Sequence, residues 1–220
     1  MEKGDYDHNL MKRWLILLFG LTVMAFGIAF SIQAETGNTP VSGLPYVISL
    51  FSKWTVGEWT VITHCIFILI QIIILGRSFR LHQMLQLVVA FFFGSMTDIA
   101  LWCIRGVTFY NYMQQIAFCC LGIFLVAVGI SLEVVADVIT LAGEGVVLAI
   151  SKTFCFRFSN VKIAFDMTLV AVSCVLSLLF LHRIEGVREG TVLAALFVGV
   201  ISKPLIRIET KILGINKVNL

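Results

Sequence analysis

Lys162 and Asp166 stand four residues apart in an apolar stretch, a spacing that puts them on one face of a helix. They could be an ion pair at a membrane edge, or part of a solute or proton site. His64 occupies another apolar stretch, where it could sit at the interface near a helix end or titrate near neutral pH as a coupling group. Asp98 follows Gly94-Ser95 deep in a third, and no neighbour in sequence neutralises it. A charge at membrane depth costs on the order of 2.5–3.5 kcal/mol on insertion scales, so Asp98 is expected to face the bundle interior or a wet cavity. That makes it the leading candidate for a coupling carboxylate. Glu144, between Gly143 and Gly145, could be a site carboxylate or an acid that favours a helix N-terminus. Arg188-Glu189 precede Gly190-Thr191, as a structural Arg–Glu network or as a clamp on an anionic group. Asp98, Asp166 and Arg188 are expected to converge on a cavity near the membrane midplane.

No H-E-x-x-H, G-x-S-x-G or P-loop pattern occurs, so neither enzyme chemistry nor ATP hydrolysis is expected. The six cysteines lie mostly in apolar runs without a C-x-x-C pair or a nearby histidine ligand, and read as small buried hydrophobes. No disulfide, metal site or cofactor is expected, and the basic runs are too short for nucleic acid.

The elements that position these residues follow from composition. Hydrophobic residues make up 59% of the 220 and charged residues 13%, with a mean hydropathy of +0.99. That is too much apolar surface for a domain in water, so the solvent is a bilayer. A spanning helix needs about 20 apolar residues to cross roughly 30 Å of hydrocarbon. Six stretches qualify: Trp14–Gln33, Trp59–Gly76, Gln83–Ile104, Met113–Leu132, Val161–Leu181 and Gly190–Ile206. Residues 1–13 are too acidic and mixed for a secretory leader, so the first stretch reads as a retained helix. Trp14, Trp54, Trp59 and Tyr112 stand at span ends, where headgroups anchor aromatic rings. Both termini are expected in the cytoplasm. That choice puts Lys3, Lys12, Arg13, Arg77, Arg80, Lys152, Arg157, Lys162, Lys203, Arg207, Lys211 and Lys217 inside, against Lys53, Arg105, Arg183 and Arg188 outside.

Two connections carry apolar segments too short to cross. Tyr46–Trp54 follows a turn-rich stretch, Glu35–Pro45, and Val146–Phe158 follows Asp137–Gly145. Each reads as a short helix, re-entrant or interfacial. At a constant offset of 102 residues, Gly20 meets Gly122, Ala25 meets Ala127, Gly27-Ile28 meets Gly129-Ile130 and Ala34 meets Ala136. Gly43 meets Gly145, Ile48-Ser49 meets Ile150-Ser151, and His64 falls opposite Asp166. After a shift of three, Ala90 and Gly94 meet Ala195 and Gly199. Two units of three spans each, 14–106 and 107–208, are therefore expected in opposite orientations, flanked by cytoplasmic segments 1–13 and 209–220. The expected fold is an all-α membrane protein of six transmembrane helices, built as two inverted three-helix repeats, each with a short interrupted or re-entrant helix.

The runs Gly37–Tyr46, Val161–Asp166 and Val187–Thr191 together resemble bacterial YczE-like membrane proteins, relatives of the YitT group, and the likeness extends over nearly the whole chain. Arg188-Glu189-Gly190-Thr191 followed by Gly199 is its most specific part. YitT-type proteins often add a soluble C-terminal domain; the short stretch after the last span here is nearer the YczE side. The resemblance marks Asn38, Pro40, Lys162, Asp166, Arg188, Glu189 and Thr191 as motif positions and supplies no catalytic residue. It implies a transporter of unassigned substrate in the bacterial cytoplasmic membrane. With the repeat and the intramembrane acids, the expected function is an ion-coupled small-solute transporter or exporter, with membrane lipids and the solute as partners and a homodimer as a further option. Two alternatives remain open. The chain could be a non-transporting membrane sensor or assembly protein, or the substrate-binding membrane subunit of an ATP-driven importer.

Overall fold

A computed structural model describes the backbone of residues 3–213 and the side chains of residues 10–213. Among the described residues the chain forms eight α-helices and no strand: α1 (Lys3–Gln33), α2 (Pro40–Phe51), α3 (Val56–Leu75), α4 (Leu85–Ile104), α5 (Tyr112–Ala136), α6 (Ala142–Phe154), α7 (Phe158–Leu181) and α8 (Glu189–Leu213). Six are long and apolar enough to cross a membrane, over Leu10–Gln33, Val56–Ser78, Leu81–Ile104, Tyr112–Ala136, Phe158–Leu181 and Glu189–Leu213. This fits a multi-pass membrane protein.

Every span runs further than its apolar stretch, because capping and not hydropathy decides where a helix starts. At α3 the Thr55 hydroxyl accepts from Glu58 N (3.1 Å) while Glu58 Oε2 accepts from Thr55 N (2.7 Å), closing a capping box ahead of Trp59. Asn111 Oδ1 accepts from Gln114 N at 3.0 Å and starts α5. The stretch Glu35–Pro45, read as turn-rich, is helical from Pro40 onward. Pro40 takes the first helical position, where its missing N–H is no loss and its fixed φ is already helical, and Thr39 caps the turn. The second short helix likewise starts at Ala142 rather than Val146.

The spine of the bundle is an antiparallel crossing of α1 and α5. An added methyl at Gly27 would lie 2.7 Å from both Gly122 O and Val126 N, and one at Gly20 would lie 3.1 Å from Gly129 O. In the reverse direction, a methyl at Gly122 would meet Gly27 O and one at Gly129 would meet Gly20 O, both at 2.7 Å. Only glycine lets the two backbones approach this closely, which is how helices associate where hydrophobicity gives no preference for protein over lipid. Leu17, Leu21, Met24 and Ile28 pack beside this seam against Val89, Phe93 and Val126.

Around the spine, α4 packs on α1 and α8 on α5; α2 packs on α7 and α3, and α6 on α3 and α7. The spine helices bury 56% of their most apolar windows and α7 and α8 only 17%, so the latter form the rim. Side chains such as Ile73 (81% exposed) and Trp102 (75%) point outward, as lipid-facing residues do. At the end where α1 begins, the proximal end, Lys12 Nζ donates to Leu213 O (2.7 Å) and Arg13 reaches Asp137 (3.7 Å). At the distal end Gln33 Nε2 donates to Val107 O at 2.8 Å.

Gly27→Leu is expected to lower the melting temperature of the detergent-solubilised protein strongly, through overpacking worth about 1–3 kcal/mol or more. Gly199→Ala, where nothing lies within 4 Å, is expected to leave it unchanged. Equal melting temperatures for Gly27→Leu and wild type would show that the crossing is not close-packed.

Candidate functional site

The densest set of buried polar groups surrounds the first turn of α6. From α3, Thr60, His64, Phe67 and Gln71 recur at helical spacing on the buried face. Gln71 is fully buried, and its Nε2 donates to Gln86 Oε1 (3.0 Å) and Ala142 O (3.1 Å). Both amide hydrogens are thereby used, which fixes the orientation of the group and leaves Oε1 buried without a partner. Gly145 makes room for it, since a methyl there would lie 2.6 Å from Gln71 Oε1. From the last turn of α5, buried Glu133 accepts from Leu141 N through Oε1 at 2.7 Å. This satisfies an N–H at the start of α6 that no side chain within the helix caps. Glu133 Oε2 is buried without a partner.

Glu144 is half-buried in the first turn of α6, three residues on from Leu141, and Lys162 and Asp166 stand on α7, which packs against α6. Lys162 Nζ and Asp166 Oδ1 form the i,i+4 pair at 2.9 Å. His64 is not interfacial; it is buried with its ring about equally far from Phe67 (6.0 Å) and Phe93 (6.1 Å), and Nδ1 has no partner. Helix packing places it inside because it follows Thr60 by one turn on the buried face.

The remaining candidates lie elsewhere. Asp98 accepts from Thr55 Oγ1 (2.6 Å) and Gly57 N (2.8 Å), so this carboxylate of α4 caps the start of α3. The helix N-terminus, and no cavity, compensates its charge. Arg188 Nη1 donates to Glu35 O at 2.9 Å and its Nε lies 3.3 Å from Glu189 Oε2, tying the start of α8 to the end of α1. The Thr191 hydroxyl accepts from Arg188 N (3.3 Å) and donates to Gly186 O (3.4 Å). Buried Asn38 donates its backbone N–H to Gly186 O at 3.2 Å, and its Oδ1 is unpartnered. Asn38 borders a recess with Glu35, Tyr46 and Glu185 of about 10 Å³, room for about one water molecule and too small for a solute. Asp98, Asp166 and Arg188 therefore do not converge. Each has its own partners: Asp98 holds the start of α3, Asp166 pairs with Lys162 one turn away on α7, and Arg188 stands just ahead of α8.

Lys162, Asp166 and Glu144 are thus joined by Glu133, Gln71 and Gln86, which sequence reasoning missed, whereas His64 lies two turns before Gln71 on α3, between Phe67 and Phe93. Glu133 falls just beyond the apolar run that ends at Leu132. Val134-Val135-Ala136 continue that run after one charge, a signal that the helix carries the acid inside. Gln71 is a lone amide in Ile-Leu-Ile-Gln-Ile-Ile-Ile-Leu, and such a group needs an internal partner in lipid. Among the described residues no three His, Cys, Asp or Glu side chains gather as a metal site.

Six spans, two intervening short helices and a buried polar cluster at the start of one of them define a polytopic helical membrane protein with an internal polar site. The chain belongs to the family described as "Family of unknown function (DUF6198)", whose profile matches residues 11–207. It is similar to the uncharacterized protein YyaS of Bacillus subtilis (strain 168), at 27% identity over 111 residues, 50% of this chain and 53% of the relative. The chain thus spans about half the length of the curated relative it matches. No solved structure matches it.

Asp98→Ala is expected to destabilise the protein by about 1–3 kcal/mol through the loss of two hydrogen bonds at the start of α3. Combined with Thr55→Val, the loss is expected to be less than additive, because both changes remove the same contact. Thermal unfolding of the two single variants and the double variant measures this; full additivity would refute the capping role.

Proposed function

We propose that this chain moves a small solute across the bacterial cytoplasmic membrane by alternating access of two inverted three-span units, residues 14–106 and 107–208, with both termini cytoplasmic. The observation that carries the reading is the meeting of the two short helices. A methyl on Gly143, in the first turn of α6, would lie 3.5 Å from Val41 Cγ1, in the first turn of α2. These two positions are themselves 102 residues apart, so each residue faces its own counterpart, as happens on a two-fold axis. Opposed N-termini of short helices inside a bundle are the half-helix arrangement that binds solutes in transporters with inverted repeats.

The packing supports the same symmetry. Exchanging α1 with α5, α2 with α6, α3 with α7 and α4 with α8 turns the α1–α4 contact into α5–α8, and α2–α7 into α6–α3. It also carries Gly20–Gly129 into Gly27–Gly122. Phe67 and Leu169, again 102 apart, share the core that holds Val41, Leu44, Ala142 and Val146. One pair breaks the symmetry. Gly57 and Gly94 bring α3 and α4 into backbone contact, whereas Gly199, the counterpart of Gly94, touches nothing and α7 barely meets α8. Unequal closure of two equivalent helix pairs is what one state of an alternating-access cycle requires, the opposite state exchanging which pair is closed.

The narrower likeness to YczE-like proteins, supported by the motif at Arg188–Thr191, and the orientation, supported by the distribution of lysine and arginine, belong to this proposal.

Alternating access is tested without knowing the solute. In a variant lacking the native cysteines, Ser42→Cys on α2 and Ser173→Cys on α7, both buried, are expected to react with a membrane-impermeant maleimide added to either side of sealed vesicles. Labelling from one side only, or from neither, sinks the proposal. A stoichiometric soluble partner recovered with an unlabelled protein would favour the assembly reading instead.

A further inference from the structure

The two units differ most in charge around the starts of their short helices. At the offset of 102, Ser31 is matched by Glu133, Ser42 by Glu144 and Thr60 by Lys162, so neutral hydroxyls give way to charges on the α6 side only. With Asp166, the α6 cluster holds three acids and one lysine, a formal excess of two negative charges. The N-terminus of α6 offsets roughly half a unit of that. Of the other charges nearby, Arg13 pairs with Asp137 on the α1 side, and on the α8 side Glu209 accepts from Ser131 through Oε1 at 2.8 Å while its Oε2 is buried without a partner. The buried atoms left over are acceptors. Gln71 Oε1 cannot turn away without placing an oxygen against Ala142 O and Gln86 Oε1, and Glu133 Oε2 has no donor within reach. Their groups are anchored on adjacent residues of one helical turn, Gln71 on Ala142 O and Glu133 on Leu141 N. Buried oxygens with excess negative charge and no donor call for a cation. Among the described residues no three His, Cys, Asp or Glu side chains gather closely enough to hold a divalent metal ion, so the site suits a monovalent cation.

We propose that the first turn of α6 holds one small monovalent cation, sodium or a proton, between Glu133 Oε2, Gln71 Oε1 and the Glu144 carboxylate. Lys162 stays on Asp166 while the cation is bound. As the coupling ion of the transport cycle this site rests on the preceding proposal; as a binding site it does not.

The test is thermal unfolding of the purified full chain in detergent. Sodium chloride replaces choline chloride at constant ionic strength and pH, and in a second series pH is varied without sodium. A sodium site raises the wild-type melting temperature saturably, because the ion binds the folded state, and the half-saturating concentration rises on the order of tenfold or more in Glu133→Gln and in Gln71→Leu. Glu133→Gln keeps the acceptor for Leu141 N, so it reports on the site even where Gln71→Leu does not fold. A proton site gives no sodium response but a pH-dependent melting temperature, and Glu133→Gln, isosteric with the protonated acid, flattens that dependence. Sodium and pH responses unchanged in Glu133→Gln overturn the proposal. Cation binding without two-sided maleimide labelling keeps the site and removes transport; two-sided labelling without a cation response does the reverse.

Discussion

The close antiparallel contact of α1 with α5 is the constraint on which the other elements depend. In a bilayer, apolar side chains gain nothing by leaving lipid for protein, so helices associate through close packing and hydrogen bonds. Four glycines supply that packing here, and the backbone oxygens of each helix press on the glycines of the other. Once this pair is set, α4 and α8 can only lie on its two flanks. The short helices are then left to close the space between the remaining spans. A single large residue in the seam would separate the flanks as well as the spine.

A second constraint follows from the solvent. The connections Ala34–Thr39 and Asp137–Leu141 are not helical, so their backbone groups need partners that a spanning helix would supply internally. The protein provides them from distant chain: Gly190 N donates to Thr36 O (2.7 Å), Asn38 N to Gly186 O, Leu141 N to Glu133, and Gln71 to Ala142 O. The two connections differ in how this is done. Near α2 the partners are backbone groups and the Arg188 guanidinium, whereas near α6 they are a carboxylate and an amide, each with an oxygen to spare. Polarity that began as helix capping thereby leaves an unfilled carboxylate oxygen and an unfilled amide oxygen at the start of α6.

Asp98 shows why membrane depth alone does not mark function. Its position in an apolar run is as costly as that of Glu133, yet both its oxygens are taken by donors from a neighbouring helix end. The distinction between a structural acid and a site acid lies in unfilled hydrogen-bonding capacity, and that is set by another part of the chain.

Hydropathy was sufficient to place the six spans, because each must clear about 20 apolar residues whatever it packs against. Composition and short apolar segments likewise marked both short helices, though Pro40 and Ala142 moved their starts. The ion pair of Lys162 with Asp166 was legible because helical spacing alone brings the two together. What the sequence could not determine was which polar residues share a site. Asp98, His64, Glu133 and Gln71 carry comparable signals along the chain, and only the meeting of α3, α5 and α6 decides that the last two gather at one helical turn while Asp98 caps another. The reason is physical: burial cost is a property of one residue, but its compensation depends on a donor or a charge that tertiary packing brings from far away in sequence.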